Sequence, residues 1–133
     1  MSEQLKNLKA TLQLEVEAYQ TLEKDIKAQQ RARQQFLQQK QENDMVMKEL
    51  ALLDDDANVF KLVGPALIKQ DPVEAKSNVQ KRLEFINGEL ARLEGQLKGS
   101  EEKQLKKQQQ IMKIQQDAER LQQASMAPIP VAN

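Results

Sequence analysis

The chain of 133 residues contains no cysteine, no histidine and no tryptophan, only four glycines and four prolines, and 3% aromatic residues. Without cysteine there is no disulfide frame, and without cysteine or histidine a Zn²⁺ or haem site of the usual N/S kind has no ligands. Neither sign of charge prevails. Lys plus Arg and Asp plus Glu number 20 each, so the net charge is zero. Proteins that bind nucleic acid or anionic membranes usually carry a basic excess, and the composition speaks against both. The longest run of one sign is Asp54-Asp55-Asp56. No apolar run approaches the length needed to span a bilayer. The opening Met1-Ser2-Glu3-Gln4-Leu5-Lys6 lacks the apolar stretch of a secretory signal, so a cytoplasmic protein is expected.

What remains is rich in Gln, Lys, Glu and Leu, with 30% of residues charged. That is the composition of a coiled coil. Ser2 and Glu3 form a cap and a favourable first turn, and no Gly or Pro follows until Gly64. Alternating steps of three and four residues trace a seam: Leu5, Leu8, Leu12, Glu15, Tyr19, Leu22, Ile26, Gln29, Arg33, Phe36, Lys40, Asn43, Met47, Leu50. The spacing predicts a coiled-coil helix over about residues 3–53, of roughly 70–75 Å at 1.5 Å per residue. The polar members Gln29, Arg33, Lys40 and Asn43 fit register control and solvated stems.

Asp71-Pro72-Val73-Glu74 starts a second helix: Asp71 caps, Pro72 takes the first helical position and Glu74 falls three residues after the cap. Its seam runs Val79, Leu83, Ile86, Leu90, Leu93, Leu97, then lapses at Ser100, Gln104 and Lys107, and resumes at Ile111, Ile114, Ala118 and Leu121. The helix is expected over about residues 72–124. Gly88, Gly95 and Gly99 occupy outer heptad positions, each costing about 1 kcal/mol against Ala, so the outer half of the coil is expected to be looser. The segment 125–133, with Pro128 and Pro130, is read as a disordered tail.

Between the helices, residues 58–69 form the one run rich in β-branched and aromatic side chains, broken once by Gly64-Pro65. Two apolar runs about such a breaker predict a β-hairpin. A connection this short folds the helices back antiparallel; a dimeric rod with both helices running on is the rival topology. The fold class is therefore mainly α, one domain over 1–133, a long antiparallel coiled-coil hairpin of two helices joined by one β-hairpin. A lone hairpin is marginal in water. One carrying Val59, Phe60, Leu62, Val63, Leu67 and Ile68 requires a partner, which points to oligomerisation. Leu52 and Phe85, off the seam beside it, are assigned to the same subunit contact rather than to covering the hairpin within one chain. A second apolar feature is the far end of the coil, where Leu5, Leu8, Leu12, Ile111, Met112, Ile114 and Leu121 come together. Such an end can open to offer adaptable side chains to another apolar chain.

Nothing in the sequence supplies catalysis. The carboxylates of 54–58 have the alternation of a Ca²⁺ loop, but Val59 stands where Gly is needed and Pro65 where Glu is needed. Gly64-Pro65 has neither the spacing nor the following Lys-Ser/Thr of a phosphate cradle. No Asp, Glu, Lys, Ser or Tyr19 belongs to a recognisable catalytic motif. The chain is read as a non-enzyme without cofactor or metal.

Residues 42–53 (Glu42 to Leu53), 59–70 (Val59 to Gln70) and Lys81-Arg82-Leu83-Glu84-Phe85-Ile86 resemble the β-type subunits of prefoldin, most closely the eukaryotic subunit-six type. The resemblance spans about residues 5–122, and the central stretch is its specific part. It implies an ATP-independent holdase, a hetero-hexamer of two α-type and four β-type subunits whose hairpins assemble into an oligomeric β-barrel. Residues 59–68 would be barrel strands. The distal ends would hold unfolded proteins, notably actin and tubulin, for transfer to the cytosolic group II chaperonin. The other reading of the same coil is a structural adaptor that clasps one folded partner.

Overall fold

The computed structural model describes residues 2–54 and 56–125. Its elements, in order, are helix α1 (Glu3–Ala51), strands β1 (Val59–Val63) and β2 (Ala66–Gln70), and helix α2 (Pro72–Ser125). The proposed tail beyond Ser125 lies outside the described residues.

Both helix starts follow the chemistry of their caps. Ser2 Oγ accepts the Leu5 N–H at 3.2 Å. Asp71 Oδ1 accepts the Val73 N–H at 3.0 Å, while Pro72 has no N–H to satisfy and Ala75 N–H reaches the Asp71 carbonyl at 2.9 Å. Helix α1 stops two residues before the expected position. Its last turn tightens, with Leu52 N–H bonded to the Glu49 carbonyl and Leu53 N–H to that of Leu50, and Asp54 then turns the chain by accepting from Ala57 N–H. Leu52 and Leu53 thus leave the helix, their side chains exposed.

The strands pair antiparallel, with Leu62 opposite Leu67 and Val63 opposite Ala66. The two-residue connection is Gly64-Pro65. Gly64 has φ +58°, and it is the only positive φ among the described residues. A left-handed first position followed by proline is the II′ turn, whose twist matches the strands. A Cβ on Gly64 would meet no atom within 4 Å, so glycine is demanded there by backbone conformation alone.

Contacts group the chain into two units, one of residues 29–96 and the other of the segments up to residue 28 and from residue 97 onward. Within the first, Leu50, Ala75 and Val79 form a core against which Met47, Val59 and Leu83 pack. The end of α1 therefore lies against the start of α2, with the first residue of β1 over both. An ion pair between Arg33 and Glu94, at 3.5 Å, fixes the same antiparallel sense farther along. In the second unit Lys107 Nζ meets Glu15 Oε2 at 2.8 Å, and here too low numbers of α1 oppose high numbers of α2. That contact is an ion pair by separation rather than an aligned hydrogen bond.

Every residue of the two expected seams is buried or half-buried. This includes the polar members, and Gln29 Oε1 is enclosed with no donor among the described residues in reach. Ala75, 4% exposed and absent from the expected seam, extends it one turn toward the cap. The buried side chains of α2 all precede residue 97: Ala75, Val79, Ile86, Leu90 and Leu93. From residue 97 on, the seam side chains of α2 are only half-buried.

Candidate binding surfaces

Among the described residues the hairpin is two strands alone, and neither edge is paired by any of them. Alternation places Val59, Lys61 and Val63 on one face with Ala66, Ile68 and Gln70, and Phe60, Leu62, Leu67 and Lys69 on the other. Only Val59 is tied into the core of its unit. On the opposite face Phe60, Leu62 and Leu67 are 54%, 69% and 67% exposed. The face shared with Val59 is open as well, with Val63 and Ile68 about half exposed.

Leu52 and Phe85 stay largely exposed and therefore do not roof the hairpin within the chain. Four more apolar side chains of this unit that the sequence reading passed over, Met45, Val46, Leu53 and Val73, are also exposed. The signal for two of them was present: Met45 and Val46 precede Leu52 and Leu53 by seven residues, a column of apolar positions off the seam. Between Val46, Val59, Asn78 and Arg82 lies a cleft of ≈ 180 Å³. Among the described residues, all the large apolar side chains that remain exposed, save Leu14, Leu105 and Met112, belong to residues 29–96. Unmet apolar surface is concentrated where the edges are unpaired.

The seven side chains expected at the far end fall into two kinds. Leu5 is buried, and Leu8, Leu12, Ile111, Ile114 and Leu121 are half-buried in the seam between the helices. Met112 alone stands out, 54% exposed. Three of the seam residues border shallow depressions. Leu8 and Leu121 lie in one of ≈ 520 Å³ together with Thr11 and Arg120. Leu12 and Met112 lie in another of ≈ 500 Å³ with Lys9 and Glu119. A ligand at this end meets the edges of a zipped seam, so deeper apolar contact requires the helices to part.

The Arg92 guanidinium is raised above its ordinary value by its hydrogen bond and charge contact with Glu89, one turn away on α2. No helix of the described residues is long and apolar enough to cross a membrane.

Comparison with known proteins converges on one family. Residues 13–118 match the family model described as prefoldin subunit. The chain is 48% identical over 101 residues to prefoldin subunit 6 of Arabidopsis thaliana, covering 76% of this chain and 78% of that one. It is 43% identical over 113 residues to prefoldin subunit 6 of Homo sapiens, covering 85% and 88%. The fold matches the crystal structure of the prefoldin beta subunit from Thermococcus strain KS-1 with a TM-score of 0.72, over 90% of this chain and 95% of that one, at 22% identity. With two long helices about one β-hairpin, and a sequence match covering most of its length, the chain belongs to the prefoldin subunit family.

Proposed function

We propose that this chain is one subunit of a hetero-hexameric, ATP-independent holdase built with α-type and other β-type prefoldin subunits in the cytoplasm. Its hairpin pairs with theirs in a closed β-barrel. The far ends of its helices hold unfolded proteins such as actin and tubulin and pass them to the cytosolic chaperonin. The observation that carries the assembly half is the hairpin itself: two free edges and apolar side chains exposed on both faces. Closure into a barrel removes the edges and buries those side chains in one step. Fully burying one of them is worth about 1.5–3 kcal/mol.

The client half rests on the far end. Leu8, Leu12, Met112 and Leu121 offer weak, adaptable apolar contact in shallow depressions. Several such ends acting on one client gain through effective concentration. Deleting residues 1–12 together with 111–133 is expected to abolish suppression of client aggregation by the assembled complex while its mass is kept. Light scattering of a chemically denatured client on dilution, with native mass measurement of the complex, reads both. Full protection by the truncated complex would place client holding elsewhere. Clasping of a single folded partner, with no protection of varied unfolded chains, would favour an adaptor instead.

A further inference from the structure

Two depressions lie on the same side of the unit that contains both helix ends. The first, ≈ 520 Å³, is bordered by Asn7 and Thr11 of α1 and by Asp117 and Arg120 of α2. The second, ≈ 530 Å³, is bordered by Ala18 and Thr21 of α1 and by Lys103, Lys106 and Gln110 of α2. On each helix the bordering residues follow one another at steps of three and four, which is a single stripe. Continuing the steps places Leu14 between Thr11 and Ala18, and Lys113 between Gln110 and Asp117. The two depressions therefore lie in line along one face, the first floored by Leu8 and Leu121 and the second by Leu22 from the seam, and together they outline a groove.

The walls differ in charge. The α1 wall (Asn7, Thr11, Leu14, Ala18 and Thr21) carries none, and Leu14 stands 65% exposed on it. The α2 wall carries Lys103, Lys106, Lys113 and Arg120 against the single Asp117. None of these four cations takes part in an ion pair among the described residues; the lysine that does, Lys107, is spent on Glu15 at the groove floor. The other side of the same unit lacks this bias, since its depression beside Met112 has one cation, Lys9, and one anion, Glu119. In a chain with zero net charge, an apolar floor beside a row of unpaired cations on one side only is a selective arrangement.

We infer that this groove takes acidic amphipathic segments of non-native chains, with apolar side chains on Leu14, Ala18 and Leu22 and carboxylates toward Lys103, Lys106 and Lys113. This rests on the client-holding role proposed above and adds a selectivity to it. From Gln4 to Thr21 the α1 wall rises roughly 26 Å, enough for about five turns of a helix laid along it. Exposed cations contribute modestly one by one, so discrimination depends on three or four acting together and weakens with salt.

The test uses the assembled complex and two labelled 18-residue peptides with the same leucine stripe, one flanked by Glu and one by Lys, in fluorescence anisotropy at low and high salt. The Glu peptide is expected to bind about tenfold tighter at low salt, with the ratio falling toward one as salt rises. Lys103→Gln, Lys106→Gln and Lys113→Gln together should remove the preference, and Leu14→Gln, which removes apolar contact without adding charge, should weaken both peptides. All four positions are exposed, and unchanged helicity by circular dichroism checks that the fold is kept. Equal binding of the two peptides, or a preference that survives the triple variant, overturns the inference. So does competition by a single-stranded RNA oligomer stronger than by the Glu peptide, which would make the stripe a polyanion surface. Suppression of client aggregation is followed in parallel: if it persists while the peptide preference is absent, the groove assignment fails and the holdase reading stands. If it is absent from the wild-type complex, the holdase reading fails.

Discussion

Asp71 illustrates how much one side chain decides at the junction of sheet and helix. Strand β2 ends at Gln70, and the next residue must stop the ladder and begin α2 without leaving N–H groups stranded. Its carboxylate takes the Val73 N–H, its carbonyl takes that of Ala75, and Pro72 between them contributes no donor. Asp71→Ala is expected to lower the unfolding free energy by about 1 kcal/mol, while Asp71→Asn keeps nearly all of it. Urea denaturation checks this: the midpoint should fall for Ala alone, with the slope unchanged because the same surface is exposed on unfolding. At other positions the residue type is set by the seam. Gln29 and the Glu15–Lys107 pair occupy places where Leu would pack better, and polar seam members exchange stability for a defined register. Shifting the helices by one turn would leave Glu15 facing a different neighbour and its charge half-buried without a partner.

At the scale of whole elements, α2 carries three glycines that no turn requires. A Cβ at Gly88 or Gly95 would meet nothing within 4 Å, and both residues are exposed. Gly88→Ala and Gly95→Ala should each stabilise the helix by about 1 kcal/mol. Lying about 10 Å apart along the axis, they should add nearly independently, which thermal unfolding of the two single variants and the double variant would show. The elements themselves were legible in the sequence. Steps of three and four picked out every seam position except Ala75, because burial in a coiled coil depends on heptad phase and hardly on residue type; Ser100, Gln104 and Lys107 are half-buried like their apolar neighbours. The caps and the Gly64-Pro65 break were legible for an equally local reason. What one strand of sequence does not carry is the register between helices. Lys107 stood out as a lapse in the seam, and that it answers Glu15 follows only from which residues of α1 lie opposite. The same holds for the row of cations on α2, which becomes a groove wall only beside Leu14 and Ala18. The early stop of α1 was hidden too, since Leu52 and Leu53 continue the helical pattern and leave it only because the last turn tightens.

For the molecule as a whole, the governing quantity is apolar surface that none of the described residues covers. A helix pair of this kind satisfies its own backbone, but the hairpin does not, and Phe60, Leu62 and Leu67 lie open beside two unpaired edges. Natural sheets blunt such edges with charge, and here each face receives one lysine of the ladder, Lys61 or Lys69. That deters indiscriminate pairing without removing the incentive to assemble, because the remaining ladder positions outside Gln70 are apolar. It follows that Phe60 and Leu62 should matter little to the helices and greatly to association. Replacing both with Asp leaves α1, α2 and the core at Leu50, Ala75 and Val79 untouched, since neither side chain belongs to that core. In the assembled state, however, it would place two carboxylates in an apolar interior, at a cost of several kcal/mol each when unpaired. The double variant Phe60→Asp, Leu62→Asp is therefore expected to keep its helical circular dichroism and to elute as a free subunit when mixed with its partner subunits. Multi-angle light scattering gives the deciding number: a mass unchanged from that of the wild-type complex would mean that the hairpin is not the joint through which the subunits associate.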